Sequence, residues 1–208
     1  MEIGMFLYFL TASVLLTLAP GPDILYLLTK SLADGAKTGF FLACGLVSGI
    51  IFHTTLVIIG VAAVIQSSPV AMTALKIFGA AYLIFLSAKA FSGAMKAGEI
   101  SIKKADARIS LPAIYRRGVL MNVLNPKVLL FFLAFLPQFV NLSAESAGLQ
   151  IAFLGFTFAA QALIIFSIVA FFAGKVRKFL LGKKNLGKIF AFTESVVLAI
   201  IALTLIFL

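Results

Sequence analysis

Charged residues are scarce in this sequence. Only 12% of its 208 residues are charged and 62% are hydrophobic, whereas a soluble domain averages about 25% charged and about 45–50% apolar residues. Because so few charges cannot cover the surface of a soluble protein, lipid must be the solvent for much of the exterior. The composition therefore predicts an integral membrane protein.

Cysteine and histidine occur once each, as Cys44 and His53. A single cysteine cannot form an intrachain disulfide, and no Cys/His cluster has the spacing of metal ligands. An enzyme site would need a nucleophile with a base, paired carboxylates or a metal, but H-E-x-x-H is absent and no two acidic residues share a local motif. We therefore expect no enzymatic activity, no metal and no cofactor.

The N-terminal segment lacks the features of a signal peptide. It has no basic n-region, and the first apolar run ends at Ala19-Pro20-Gly21-Pro22 rather than at a small-residue cleavage site. We expect residues 3–28 to be a retained membrane span.

Long hydrophobic runs are abundant. A helix needs about 20 residues to cross the hydrocarbon core, and six runs are long enough. They predict an all-α, polytopic membrane protein with six transmembrane helices in one domain, residues 1–208. The predicted spans are residues 3–28, 39–64, 70–91, 117–140, 147–173 and 189–208.

The basic residues predict how the protein lies in the membrane. The net charge is +10, and all of the 17 Lys and Arg residues except Lys76 and Lys127 lie in or beside segments 29–38, 92–116 and 174–188. The positive-inside rule makes these loops cytoplasmic and places both termini outside. Because the charges are confined to short loops without a binding motif, we expect no nucleic-acid partner.

The spans divide into two groups of three. Segment 92–116 has the mixed composition of a flexible connector, and three spans on each side of it give the two halves opposite orientations, as in inverted-repeat transporters. Pro22-Asp23-Ile24-Leu25 in span 1 also resembles Pro126-Lys127-Val128-Leu129 in span 4. We therefore predict a 3+3 inverted-topology repeat.

Helix-breaking residues interrupt spans 1 and 4. The first break is Ala19-Pro20-Gly21-Pro22, and the second is Asn125-Pro126. Proline disrupts a helix interior but suits the first position of a new helix, for which Asn125 is a good N-cap. We expect two half-helices whose N-termini point into the protein and favour anions. An ordinary proline kink without a ligand is the alternative.

Ionisable residues inside the spans predict a site at these breaks. Each is costly in lipid and needs a polar interior or a partner. At about 1.5 Å per residue, Asp23, Lys127 and Glu194 can meet at one level in the cytoplasmic half of the membrane. The predicted substrate-binding and coupling residues are Asp23, Asn125, Lys127, Glu194 and His53, beside the helix-break residues Pro20, Gly21, Pro22 and Pro126.

We predict that Asp23 and Lys127 form or exchange an ion pair beside the substrate. Lys127 would hold a carboxylate, and Asp23 an ammonium or a coupling proton; a fixed salt bridge is the alternative. Glu194 either joins them or snorkels to the interface.

His53 lies on a helical stripe with Gly45, Gly49 and Gly60. A packing face with a hydrogen-bonded histidine and a proton relay are both open interpretations. For the substrate side chain, Phe131, Phe132, Phe156 and Gln161 are loose candidates.

Two blocks resemble the lysine exporter family, in its threonine and homoserine efflux branch. The first is Ala19-Pro20-Gly21-Pro22-Asp23 with the following Gly35-Ala36-x-x-Gly39 and the glycine–histidine stripe. The second is Gly118-Val119-Leu120-Met121-Asn122-Val123-Leu124-Asn125-Pro126-Lys127, running on to Phe139.

The resemblance implies a bacterial inner-membrane exporter of amino acids or their derivatives. It also implies the proton-motive force as energy source, without a cofactor, and a homodimer as the expected oligomer. From the residues alone, a passive channel or facilitator is the other open possibility. A carbonyl-lined filter motif is absent, and opposite charges at one level favour an occluded site for a zwitterion.

Overall fold

The computed structural model describes residues 2–65, 69–96, 110–142, 144–180 and 185–207. These residues form eight α-helices and no β-strand. The helices are α1 (Ile3–Leu18), α2 (Pro22–Asp34), α3 (Ala36–Ile65), α4 (Pro69–Lys96), α5 (Leu111–Val123), α6 (Pro126–Leu130), α7 (Ala147–Leu180) and α8 (Leu186–Phe207). A π-helical segment, Phe131–Phe135, and a 3₁₀ segment, Leu136–Phe139, continue α6.

Four helices, α3, α4, α7 and α8, are each long and apolar enough to cross a bilayer. The remaining helices form two bent pairs: α1 and α2 meet at 55°, and α5 meets the segment Pro126–Phe139 at 49°. When each bent pair is counted as one span, the chain has six, which confirms the polytopic all-α fold predicted from the hydrophobic runs.

Several helices extend beyond the predicted spans. The predicted loop 29–38 is wrong except at Gly35, because α2 continues to Asp34 and α3 begins at Ala36. Lys30 and Asp34 form an ion pair at 2.9 Å one helical turn apart, which supports a polar helix end. Gly35 has φ +90°, a conformation that favours glycine. The hydrophobic run therefore ends several residues before the helix does.

The predicted connector 92–116 is helical at both ends, in α4 and α5. Residues 97–109 lie outside the described residues, as do 66–68 and 181–184 of the other predicted loops. The basic residues predicted there, Lys103, Lys104, Arg108, Lys183 and Lys184, therefore lie outside the described part as well.

The helices pack in the pairs that a 3+3 repeat requires. The second spans of the two halves, α3 and α7, pack together, and so do the third spans, α4 and α8. Each second span also contacts the broken first span of the other half: α3 lies along α5, and α7 lies along α1 and α2. These exchanged contacts support the inverted repeat, which stays a prediction.

The predicted glycine stripe on α3 faces α5. A Cβ at Gly45 would overlap the carbonyl oxygen of Tyr115, and a Cβ at Gly49 would lie 2.6 Å from Oδ1 of Asn122. The two helices therefore approach closely only because these positions are glycine. The packing face is confirmed at Gly45 and Gly49, whereas a Cβ at Gly60 would meet no atom within 4 Å.

The second half of span 4 is less regular than predicted. A new α-helix begins at Pro126 but lasts only to Leu130 before the π-helical turn. Pro137 explains the change, since it lacks the N–H that would bond to the carbonyl of Leu133 and its ring crowds the preceding turn. The turn is filled by aromatic rings, including Phe131 stacked on Phe135 with ring centroids 4.8 Å apart.

Candidate functional site

The break in span 1 separates α1 from α2. Ala19 and Gly21 have extended backbone conformations, and Pro22 is the first residue of α2. Because a residue before proline is disfavoured in a helix, α1 ends at Leu18, ahead of Pro20 and Pro22. The N–H of Gly21 donates to the carbonyl of Ala19 at 2.7 Å. The predicted half-helix beginning at Pro22 is confirmed.

The break in span 4 follows the same plan. Asn125 is the N-cap of α6, and its side-chain oxygen accepts a hydrogen bond from the backbone N–H of Lys127 at 3.0 Å. Pro126 is the first helical residue. The N-cap role predicted for Asn125 is confirmed, and this backbone N–H is therefore not free to bind a carboxylate.

The two breaks contact each other through side chains. The amide nitrogen of Asn125 donates to Oδ2 of Asp23 at 2.7 Å. In the other direction, the ammonium of Lys127 donates to the carbonyl oxygen of Ala19 at 3.0 Å. All three side chains are buried. Break residues of span 4 therefore complete the hydrogen bonding of span 1.

Glu194 of α8 joins this cluster. Its Oε1 lies 4.0 Å from Nζ of Lys127, so its carboxylate lies at the break and does not snorkel to the interface. A Cβ at Gly21 would lie 2.9 Å from Oε1 of Glu194 and 3.0 Å from Nζ of Lys127. The predicted meeting of Asp23, Lys127 and Glu194 is confirmed, and the glycine at the break makes room for it.

The direct ion pair predicted between Asp23 and Lys127 is absent. Among the described residues, the ion pairs within 4.0 Å are Lys30–Asp34 and Lys127–Glu194. Because Asn125 caps α6 with its side-chain oxygen, its amide nitrogen faces Asp23. The ammonium of Lys127 binds the carbonyl of Ala19, which lies at the first break and accepts no i+4 helical hydrogen bond from a described residue. Both charges are thus partnered without touching each other.

The cluster holds two carboxylates, Asp23 and Glu194, and one ammonium, Lys127. With all three ionised, it carries one net negative charge in a buried place. An uncompensated charge in a membrane interior is costly, so one bound proton would balance it. The described part of the chain has no group of three or more His, Cys, Asp or Glu side chains that could hold a metal ion.

His53 is fully buried and belongs to the break in span 4. Its Nε2 lies 3.0 Å from the carbonyl oxygen of Asn122, an atom that only accepts, so Nε2 carries the hydrogen. The other ring nitrogen, Nδ1, is buried and has no hydrogen-bond partner among the described residues. The hydrogen-bonded packing histidine is therefore confirmed, and the proton relay stays a prediction.

A cavity of about 20 Å³ lies between the two breaks. This space suits about one water molecule and is far too small for an amino acid, so a substrate does not fit at the site in the described conformation. Polar atoms of both breaks and apolar side chains of neighbouring helices form its wall. The lining residues are Leu16, Thr17, Ala19, Gly21, Asp23, Ile24, Ile50, Asn122, Lys127, Val128, Phe158 and Phe166.

Thr17 and Asn122 line this cavity but were not predicted. Nε2 of Gln161 donates to the Thr17 hydroxyl at 2.9 Å, so this loosely predicted glutamine lies behind the wall. Polar residues about one turn before each break were the signal that could have identified Thr17 and Asn122. Among the aromatic candidates, Phe156 is wrong, because 73% of it is exposed on the outer surface of the helices.

The other aromatic candidates, Phe131 and Phe132, are fully buried. They belong to the aromatic core: Phe132 and Phe158 lie edge to face, with ring centroids 5.1 Å apart. Phe158 lines the cavity, whereas Phe131 and Phe132 do not. The two predicted phenylalanines therefore support the wall from behind.

Six apolar spans, two of them broken at facing positions around buried charges, are the construction of a membrane translocator. The model of the LysE type translocator family matches residues 14–208. The chain therefore belongs to this family, which confirms the resemblance found in the sequence.

Relatives with curated names are similar along most of the chain. A leucine efflux protein of Salmonella typhimurium strain LT2 is 29% identical over 192 residues, which cover 90% of this chain and 89% of that protein. A leucine efflux protein of Enterobacter sp. strain 638 is 29% identical over 182 residues, covering 87% and 85%. No solved structure matches the chain.

Proposed function

We propose that this protein exports amino acids across the bacterial inner membrane in exchange for protons, and that leucine is the first substrate to test. The observation that carries the proposal is the buried cluster of Lys127, Asp23 and Glu194 where the two broken spans meet. An ammonium beside carboxylates complements both charges of a zwitterion. Leucine is chosen because the similar proteins are named for leucine efflux.

Substrate binding would exchange partners that the protein already has. The substrate carboxylate replaces the carbonyl of Ala19 and the carboxylate of Glu194 at the ammonium of Lys127. The substrate ammonium binds Asp23, which is held in place by the amide of Asn125. Because the cavity is so small, this exchange requires the broken spans to move apart.

Proton coupling would follow from the charge of the same cluster. Without substrate, its one excess negative charge is balanced by a proton, taken up from the outer side on Asp23 or Glu194. The substrate ammonium competes for that position, so the proton leaves on the cytoplasmic side when the amino acid binds. Because the zwitterion itself adds no net charge, the loaded cluster crosses with one negative charge and the empty, protonated cluster returns neutral, so each cycle carries one positive charge inward with the proton.

The orientation is part of the proposal. The basic loops are expected in the cytoplasm and both termini outside, which directs the half-helix α2 from the cluster toward the cytoplasmic face. A homodimer, implied by the family resemblance, remains an expectation.

The test is uptake of labelled leucine and other amino acids into inside-out vesicles. The wild type should accumulate its substrate only when the vesicle lumen is acidic, and Asp23→Asn should abolish this accumulation. Asp34→Asn is the matched control, because Asp34 lies at the other end of α2 in a local pair with Lys30, and it should leave uptake unchanged.

Two outcomes would contradict the proposal. Flux that rises linearly with substrate concentration and does not depend on the pH gradient would favour the passive facilitator. The absence of flux for a full amino-acid panel would exclude the substrate class.

A further inference from the structure

A cation–aromatic contact joins α2 to α5 on one side of the central cluster. The guanidinium carbon of Arg117 lies 4.5 Å from the centroid of the Tyr26 ring. Tyr26 follows Asp23 by three residues and therefore lies on the same face of α2, about one turn closer to the helix end at Asp34. The contact thus stands between the central cluster and the side that the basic loops predict to be cytoplasmic.

This contact closes a thin seam. Along most of its length α5 packs tightly on α3, whereas α2 touches α5 at only a few positions and packs instead on α3 and α7. Separating the far end of α2 from α5 would therefore break few contacts besides that of Arg117 with Tyr26. The Asn125–Asp23 hydrogen bond, by contrast, links α2 to the same span at the central cluster. Asp23 and Ile24 of α2 line the central cavity, so a movement of α2 would move part of the cavity wall.

Both side chains have unused hydrogen-bonding groups. Arg117 is exposed and, within the described ranges, no carboxylate lies within 4.0 Å of it. The phenolic oxygen of Tyr26 is buried, and no described residue supplies it with a hydrogen-bond partner. A buried polar atom without a partner requires an explanation, and a guanidinium fits a carboxylate with two parallel N–H donors.

We propose that Arg117 and Tyr26 form a carboxylate-binding subsite at the cytoplasmic entrance to the central cavity. When the seam opens, the guanidinium and the phenolic hydroxyl both donate to the α-carboxylate of an incoming amino acid. Lys127 lies ten residues further along the same broken span and takes this carboxylate over at the centre. The inference rests on the proposed function, for which it supplies the first binding step.

The test measures initial rates of leucine uptake into inside-out vesicles, which present the cytoplasmic face. Arg117→Gln should raise the KM for leucine about tenfold, the factor that corresponds to about 1.4 kcal/mol, with kcat little changed. Tyr26→Phe should raise it by a smaller factor. Arg116→Gln is the matched control: it removes the same charge from the neighbouring exposed position, for which no ion pair, hydrogen bond or ring contact is found in the described part, and should leave KM unchanged.

Two leucine analogues identify whether the subsite binds the carboxylate or the ammonium group of the substrate. Isocaproate lacks the amino group and isoamylamine lacks the carboxyl group, and each is added as an inhibitor from the cytoplasmic face. Arg117→Gln should weaken inhibition by isocaproate about tenfold and leave inhibition by isoamylamine unchanged. A merely structural contact would shift both inhibitors and leucine together.

The outcomes separate this inference from the proposed function. Suppose that the wild type transports leucine. If the Arg117→Gln variant then has the same KM as the wild type, or if isocaproate does not inhibit the wild type, the subsite alone is overturned. A parallel shift for both inhibitors also overturns it. A wild type that moves no amino acid overturns the proposed function and the subsite with it.

Discussion

The ammonium of Lys127 lies 3.0 Å from the carbonyl oxygen of Ala19, so a side chain from the break in span 4 satisfies the break in span 1. His53 does the same for the carbonyl of Asn122 at the other break, also at 3.0 Å. Each carbonyl also accepts a backbone N–H, from Gly21 and from Asn125 respectively, so each side chain adds a second hydrogen bond, with a net contribution of about 0.5–1.5 kcal/mol. Both basic side chains therefore stabilise the broken spans, whatever they do in transport.

Lys127 should be needed for stability as well as for transport. Lys127→Met leaves Glu194 as an unpaired, largely buried carboxylate, which we expect to destabilise the protein by about 3–5 kcal/mol. The thermal midpoint of the purified protein in detergent measures this loss. Vesicle uptake of leucine should be abolished.

A double variant separates the two roles of Lys127. Lys127→Met combined with Glu194→Gln removes both charges and should recover most of the thermal stability, while transport stays absent. If the double variant is as unstable as Lys127→Met, the 4.0 Å contact is not what stabilises this part of the protein.

A side chain at Gly21 should disturb the charged cluster. Gly21→Ala places a methyl group 2.9 Å from Oε1 of Glu194 and 3.0 Å from Nζ of Lys127, and because both atoms end flexible side chains, they can shift away from it. We expect slower leucine uptake with little change in the thermal midpoint. Gly60→Ala is the control, because its methyl group would meet no atom within 4 Å. Equal effects at both positions would show that close approach at the break is unimportant.

Asn125 should contribute through two hydrogen bonds. Asn125→Ala removes the N-cap bond to the Lys127 N–H and the amide donated to Asp23, with an expected cost of about 1–3 kcal/mol. Ser110→Ala is the matched control, because Ser110 is the N-cap of α5 but makes no side-chain capping bond.

The two cap variants are compared by thermal midpoint and by gradient-driven uptake. Ser110→Ala should change the stability by less than about 0.5 kcal/mol and leave uptake intact. A stable Asn125→Ala variant with normal transport would contradict the role given to the Asn125–Asp23 contact.

His53 should be replaceable by a neutral donor if its role is to hold the break. His53→Leu removes this hydrogen bond but leaves the carbonyl of Asn122 with the backbone N–H of Asn125, so the expected cost is about 0.5–1.5 kcal/mol. His53→Gln can still donate from its amide nitrogen and should keep both stability and gradient-driven uptake. A stable His53→Gln variant that transports leucine without regard to the pH gradient would instead assign the proton relay to His53.

Sequence patterns predicted the elements of the site better than their connections. Asn125 and Pro126 predict an N-cap and a first helical turn, because capping and the preference of proline for the first helical position depend only on a few neighbouring residues. The partner of Lys127 was not predictable in this way. Ala19, Asp23 and Glu194 are all within plausible reach by depth, and only packing selects among them.

By itself, the sequence determined that the chain is a helical membrane protein with six apolar runs, two of them broken by proline. These properties follow from local composition, because each run must satisfy its own backbone hydrogen bonds in lipid. The tertiary structure alone decided that Lys127 binds the carbonyl of Ala19 and faces Glu194, that Asp23 binds Asn125, and that Arg117 covers Tyr26. Those pairings depend on how helices distant in sequence pack together, and depth along a span does not contain that information.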